Sequence, residues 1–296
     1  MDARELAVGA VFPQVEVSGD VEAVERIGDC LERVGYRHVL AFDHVLGAVH
    51  AGRPAPLFGP YDENDPFHDP LVMFGFLAGR TQRIGFATGV LVLPQRQTAL
   101  VARQAADVAI LSRGRLRIGV GAGWNPVEYE AMGVDFIGRG ARLSEQVELL
   151  RVLWAEPVVD FAGRFDRIDR AACVPRPSSP IPLWLGGWAD AALRRAVRLA
   201  DGFIFAGAQE DVLERWSALR NMLAAAGRDA SSFGAEAIVR PFADVADVAP
   251  FLERWRAAGG THVALNSMGL GLDSIEAHVD YFERVAAQLR LEGWLP

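Results

Sequence analysis

The sequence predicts one (β/α)8 TIM barrel, with insertions after strands 2 and 4, occupying residues 1–296 as a single domain. Three observations carry that prediction. Eight short apolar runs alternate with helical patterns along the chain. The stretch 83–124 reads strand, helix, strand with no polar alternation in either strand, which marks a parallel pair buried on both faces. The length of 296 residues suits one such barrel. A doubly wound sheet is the competing fold. It would want a dinucleotide fingerprint in the first strand–turn–helix unit, where Phe12-Pro13-Gln14 stands instead.

Taken in order, Leu6 to Phe12 is the first strand, closed by Pro13. Asp20 caps a helix that runs to Val34 and stops at Gly35. His38 to Phe42 is strand 2, ending in Asp43-His44; residues 45–68 follow as a long loop rich in Gly, Pro, Asp and Asn. A loop of that length in a compact domain is functional or mobile as a rule. Asp69 at the N-cap and Pro70 at the first helical position open a short helix to Gly79. Strand 3 runs from Ile84 to Val90, with a Thr-Gly break at Thr88 and Gly89. Its helix begins at a Thr98 cap and buries Leu100, Val101, Gln104, Val108 and Leu111. Strand 4, Leu116 to Val120, leads into Gly121-Ala122-Gly123.

Asn125-Pro126 starts a helical turn to Met132, and Gly138 to Trp154 is a longer helix. Residues 155–181, rich in Pro and Arg, form the second insertion. Strand 5 is Pro182 to Leu185, followed by Gly186-Gly187 and a helix from Ala189 to Leu199. Strand 6 (Gly202 to Phe205), a helix from Glu210 to Ala226, strand 7 (Ala235 to Arg240) and a helix from Val245 to Ala258 come next. Strand 8 (His262 to Asn266) and a helix from Ser274 to Leu291 close the chain.

Composition narrows the chemistry. All 30 basic residues are Arg, so there is no Schiff-base, PLP-anchoring or P-loop lysine. A net charge of -8 argues against a nucleic-acid partner. Two cysteines cannot build a disulfide framework, which fits the reducing cytoplasm. The N-terminal stretch reads as a first strand rather than a signal peptide. No apolar run reaches the roughly 18 residues of a membrane span.

In parallel α/β folds ligands sit beyond the carboxyl ends of the strands, so candidates are sought there. His44 closes strand 2 and can serve as acid, base or electrostatic partner near neutral pH; a loop histidine satisfied by water is the plain alternative. His38 and His262 stand at strand starts, and no paired ligands suit a metal. The turn containing Ala122, Gly123, Trp124 and Asn125 lets a flat ligand approach the backbone closely. Gly186-Gly187 precedes a helix whose free N–H groups and dipole favour phosphate. Arg96, Arg139 and Arg142 lie near loops on the same face and can hold an acidic tail or substrate.

The ordered set combines DH after strand 2, ATGV at strand 3, GRLRIGVGAGWNPVEY at strand 4, RLSEQVELLRVLW on the next helix and PLWLGGWADAALRRAVRLADGFIF at strands 5 and 6. It resembles the bacterial luciferase-like superfamily, closest to the branch that uses the deazaflavin coenzyme F420. The resemblance implies a homodimeric barrel with the coenzyme ring at the strands' carboxyl ends. It implies a non-proline cis peptide at Gly89–Val90 that backs the ring. Asp43 would contact the coenzyme and His44 would face the reacting carbon. Thr88, Ala122 and Gly123 would line the ring or its ribityl chain, and Gly186 and Gly187 would present N–H groups to the phosphate. Sugar-phosphate-oxidising relatives carry an acid just after the strand 4 glycines and use lysines for the substrate phosphate. This chain has Trp124 and no lysine, which implies a less charged small-molecule substrate. The expected activity is therefore F420-dependent hydride transfer. An FMN-dependent monooxygenase fed by a partner reductase is the alternative, and a non-catalytic coenzyme carrier is a third reading.

Overall fold

The structure, a computed structural model, describes residues 6–17 and 19–296. The first five residues, read above as the approach to strand 1 rather than a targeting segment, lie outside the described residues.

In chain order the first half is β1 (Ala7–Val11), α1 (Val21–Val34), β2 (His38–Ala41), α2 (Pro70–Arg80), β3 (Gly85–Thr88), β4 (Leu91–Val92), α3 (Thr98–Leu111), β5 (Leu116–Gly121), α4 (Pro126–Ala131) and α5 (Arg139–Ala155). The second half is β6 (Val159–Ala162), β7 (Arg167–Ala171), β8 (Leu183–Gly186), α6 (Asp190–Leu199), β9 (Gly202–Gly207), α7 (Gln209–Ala225), β10 (Gly234–Val239), α8 (Val248–Ala257), β11 (His262–Leu265) and α9 (Ile275–Leu291). Eight parallel strands, β1, β2, β3, β5, β8, β9, β10 and β11, pair in that order. The ring closes where Val8 meets Val263 and where Phe86 meets Leu116. This is the (β/α)8 barrel expected from the alternation of runs.

Local chemistry explains the helix starts. Asp20 accepts the Glu22 N–H, and Asp69 accepts those of Leu71 and Val72 with Pro70 at the first position. Thr98 is a correction: Gln97 is the N-cap of α3, and no side chain caps it. The Thr98 hydroxyl instead donates to Asp166 and receives the Gln146 amide, tying α3 to α5 and to the second insertion. The buried face of α3 also differs from the expected one. Leu100 and Leu111 are exposed, while Val101, Ala102, Ala105, Ala106, Val108 and Ala109 face inward. Alanines let the helix lie close to the strands, so the row of small residues wins over the row of large ones.

Two further features concern strands. Strand 3 is interrupted at the Thr-Gly break read from the sequence. It breaks after Thr88, the Gly89–Val90 peptide is cis, and the chain resumes pairing with β5 at β4. The second insertion, read above only as rich in Pro and Arg, contains an antiparallel hairpin of β6 and β7. Its turn hangs on Glu145, which accepts the N–H groups of Arg164, Phe165 and Asp166.

The interior has two levels. Toward the carboxyl ends the lumen is apolar, with Val11, Leu40, Ala87, Trp184, Ile204, Ile238, Ala264 and Met268 packed together. Toward the amino ends it is ionic. Glu236 is fully buried; its Oε1 lies 2.5 Å from His38 Nε2, and its Oε2 accepts Arg117 Nη1 at 2.7 Å. The Arg117 guanidinium also stands 4.0 Å from the centre of a Trp184 ring. His38 and His262, at the strand starts, belong to this layer, where Trp184 packs edge-on against His262.

Candidate active site at the barrel mouth

His44 follows β2 and sits in an aromatic box. Its ring centroid is 5.2 Å from Tyr61, 4.9 Å from Phe67 and 5.5 Å from Trp124. Tyr61 and Phe67 come from the long loop 45–68, which folds back over the mouth. The loop runs tight against Trp124: a Cβ added at Gly59 would lie 2.2 Å from that ring, so only glycine permits the approach. Burial pushes the Tyr61 hydroxyl up to about 12, with Asp65 adding to the effect.

Behind the imidazole stands Glu128, on the short helix α4. Its Oε1 lies 3.2 Å from His44 Nδ1 and accepts the backbone N–H groups of Val45 and Leu46 at 2.8 and 3.1 Å. Its Oε2 accepts the Gln95 amide at 3.1 Å. Burial alone would raise this carboxyl. The contacts with His44, Gln95 and the Leu46 N–H outweigh burial and hold it below the ordinary carboxylate range.

The floor of the mouth is apolar. Val15, Phe42, Val90 and Ala206 are partly buried against the upper lumen. The Val90 side chain occupies the space where a Cβ at Gly121 or Gly186 would fall, 2.4 and 2.7 Å away. Thus the cis bend, the strand 4 turn and the strand 5 turn meet at one valine. Gly89, Val90, Ala122 and Gly123 all keep partial exposure on this surface.

Other expected contact residues lie beneath that surface. Thr88 is fully buried and donates its hydroxyl to the Gly119 carbonyl at 2.6 Å. The Asp43 side chain has no exposed surface; it accepts the Val92 N–H at 2.8 Å and Arg96 Nη2 at 2.6 Å. Burial pushes the Asp43 carboxyl up, with Arg96 and the Val92 N–H acting in opposition. Asn125 is buried and spends its side chain capping α4 through the Val127 N–H. These three brace the bend and the turn from below.

Gly186 is buried, whereas Gly187 is exposed with φ +143°, a conformation that favours glycine. The helix α6 begins three residues later with Ala189 at its N-cap, so no side chain satisfies the first N–H groups. The next helix, α7, likewise starts uncapped at Ala208. Of the three arginines expected here, Arg96 is consumed by Asp43 and Asp69. Arg139 lies 3.6 Å over the Phe136 ring and donates to the Gly123 and Phe136 carbonyls. Arg142 has a buried Nε without a partner. Neither Arg139 nor Arg142 has a carboxylate partner among the described residues.

A cavity of about 410 Å³ lies at the opposite end of the barrel, lined by residues such as Tyr36, Arg83 and Pro296, and shares no residue with this mouth. Among the described residues no group of three or more His, Cys, Asp or Glu converges as a metal site would, and no helix is long and apolar enough to cross a membrane.

Sequence reasoning located His44 and the glycine turns but missed Glu128, Gln95, Tyr61 and Phe67. Glu128 sits three residues after the Asn125 cap, where an acid reads as ordinary helix-start chemistry. The signal was its neighbour: Tyr129 is fully buried and donates to the Ala122 carbonyl, so this short helix faces the site. Tyr61 and Phe67 lie in an aperiodic loop, where no pattern assigns a direction to a side chain.

Comparison with known proteins agrees with the barrel fold. The profile of the luciferase-like monooxygenase family matches residues 6–249. An uncharacterised protein of Mycobacterium tuberculosis is 42% identical over 153 residues, which cover 52% of this chain and 53% of that protein. An F420-dependent glucose-6-phosphate dehydrogenase of Nakamurella multipartita is 34% identical over 176 residues, covering 58% of this chain and 48% of the relative. The matches therefore span about half the length of these relatives. The crystal structure of the monooxygenase RslO1 from Streptomyces bottropensis has the same fold, with a TM-score of 0.79 at 21% identity over 97% of this chain and 99% of that one. The chain belongs to the luciferase-like monooxygenase family.

Proposed function

We propose that this protein is an F420-dependent oxidoreductase acting on a small organic substrate of low charge. The observation that carries the reading is the meeting, at one mouth, of an apolar floor, an anion-ready glycine turn and a histidine backed by a buried carboxylate. The residues fit such a coenzyme. Gly187 and the uncapped start of α6 suit its phosphate, and the orphaned Arg142 Nε with Arg139 suits an acidic tail. Gly89, Val90, Ala122 and Gly123 would lie under the ring, with Gly186 beside Val90; Asp43, Thr88 and Asn125 would hold that surface in place. When bound, F420 supplies the carbon that gives or takes a hydride. His44 would hold or move the accompanying proton at Nε2. Tyr61, Phe67 and Trp124 would exclude water and favour an uncharged substrate face. A relative with 34% identity is named as F420-dependent, which supports this coenzyme over others.

The same floor and turn also suit FMN, so an FMN-dependent two-component monooxygenase with a partner reductase is the second reading. Titration of the purified protein with F420 and with FMN, followed by fluorescence, separates them. We expect saturable F420 binding; binding of FMN without F420 would install the second reading.

A homodimer completes the proposal. The helix α2 is apolar nearly all round, Arg80 being its one charged residue, yet Val72 is 68% exposed and Phe76 is exposed beside it. On the neighbouring α3, Leu100 and Leu111 are exposed too. A helix apolar on every side needs cover on every side, and a second copy presenting the same face would supply it. Val72→Glu combined with Phe76→Glu is expected to yield a monomer by light scattering, with the barrel's circular dichroism unchanged. A dimer persisting in the double variant would place the interface elsewhere.

A further inference from the structure

We propose that Glu128 is a positioning residue for His44: it holds the imidazole proton on Nδ1, presents Nε2 to the mouth, and ties that arrangement to the seating of loop 45–68. The chemical meaning of this inference rests on the oxidoreductase reading above; its geometry does not.

Donors converge on one carboxylate. Oε1 faces His44 Nδ1 and two backbone N–H groups, and Oε2 takes the Gln95 amide. Glu128 is 1% exposed, and an ionised carboxylate can only accept. A neutral imidazole carries one N–H, so facing this acceptor that proton belongs on Nδ1 and the lone pair on Nε2. Nε2 has no hydrogen-bond partner among the described residues and is not among the buried unpaired atoms, so it is open to the mouth. The three aromatic walls oppose rotation of the ring. Val45 and Leu46 follow His44 directly and begin the loop. If the loop lifts, the same oxygen loses its backbone donors, so the imidazole's setting and the loop's closure depend on each other.

The remaining charged or titratable groups around the ring are few. Tyr61 touches it, with Asp65 near that tyrosine. Asp43 precedes it in the chain and is paired with Arg96, and His50 lies on Trp124, 6.4 Å between ring centroids. None of these offers Nδ1 another acceptor.

The test labels the full chain with 15N-histidine and reads each tautomer from two-bond 1H–15N correlations above neutral pH. His44 is assigned among the six histidines by the signal that His44→Ala removes. In the unaltered protein we expect His44 to be the Nδ1–H tautomer. Glu128→Leu should release it to the Nε2–H form, the usual one in water. Glu128→Gln should rescue the Nδ1–H form, because the amide oxygen still accepts and the Gln95 Oε1, buried without a partner, can take the new N–H after an amide flip. In F420-linked turnover Glu128→Leu should lower kcat by about 10–100-fold, as loss of an outer histidine partner does in metal sites, with coenzyme KM unmoved. An Nε2–H tautomer in the unaltered protein, or an unchanged tautomer in a folded Glu128→Leu variant, overturns the proposal. Should Glu128→Leu not fold, the tautomer of the unaltered protein and its retention in Glu128→Gln decide. The tautomer is read without coenzyme, so failure of the F420 reading and failure of this inference are separable.

Discussion

Glu236→Leu is expected to lower the unfolding free energy by about 3–5 kcal/mol, the cost of breaking a buried ion pair from one side. The substitution leaves Arg117 in the barrel lumen without its carboxylate, beside the Trp184 ring and His262, and leaves His38 without its acceptor. Urea unfolding followed by circular dichroism measures the loss, which should appear as a lower midpoint at unchanged slope. A loss under about 1 kcal/mol would mean that Arg117 finds water or another carboxylate.

Acid should expose the same layer in the unaltered protein. Burial alone would raise the Glu236 carboxyl, but Arg117 and His38 dominate and hold it far below its ordinary value. Burial holds His262 well below the ordinary histidine value, and Arg117 adds to that. Both groups therefore bind fewer protons folded than unfolded. As pH falls below about 6.5 the unfolded chain protonates at His262 first, and below about 4.3 at Glu236 as well. Stability is full above these values and declines with acidification. In Glu236→Leu the second phase should shrink, because the carboxylate responsible for it is gone.

His44→Ala is the second substitution with a large expected effect. Turnover with F420 should fall by about 10²–10⁴-fold, the range for loss of a positioned acid or base. Coenzyme affinity should hold, since the floor at Val90 and the turn at Gly187 do not involve the imidazole. The measurement is kcat alongside a fluorescence titration of F420. Survival of turnover at unchanged affinity would remove His44 from the chemistry and leave it as packing for Tyr61, Phe67 and Trp124.

These outcomes follow from parts of the molecule that differ in how they are written in the chain. The barrel was legible because parallel strands buried on both faces are continuous apolar runs, and Asp20, Asp69 and Gly35 punctuate them by local hydrogen-bond geometry. The cis bond at Gly89–Val90 was expected from family resemblance, not from propensity. The hairpin at 159–171 was missed because its strands are short, and it is held by Glu145, a residue on another element. The α3 face was misjudged because large apolar residues were given more weight than the alanines that allow close packing. At the site, His44 was visible from its place at a strand end. Its partner was not, because Glu128 is 84 residues away in sequence and touches the histidine only after the barrel closes. Asp43, expected at the coenzyme from family resemblance, and Asn125, expected there from its place after strand 4, both have side chains drawn inward by neighbouring donors, which no local sequence pattern announces.

The ionic knot of His38, Arg117 and Glu236 lies beneath an apolar layer, so side chains fill the cylinder at both levels. A ligand at the mouth would therefore be reached from outside the barrel and not along its axis. On the proposed reading, the molecule lying deeper at the mouth would arrive before, and leave after, the one above it. A coenzyme on the Val90 floor would thus meet substrate only from above; because each hydride transfer reverses its redox state, it would then have to leave, or be restored by a second substrate, before the next round.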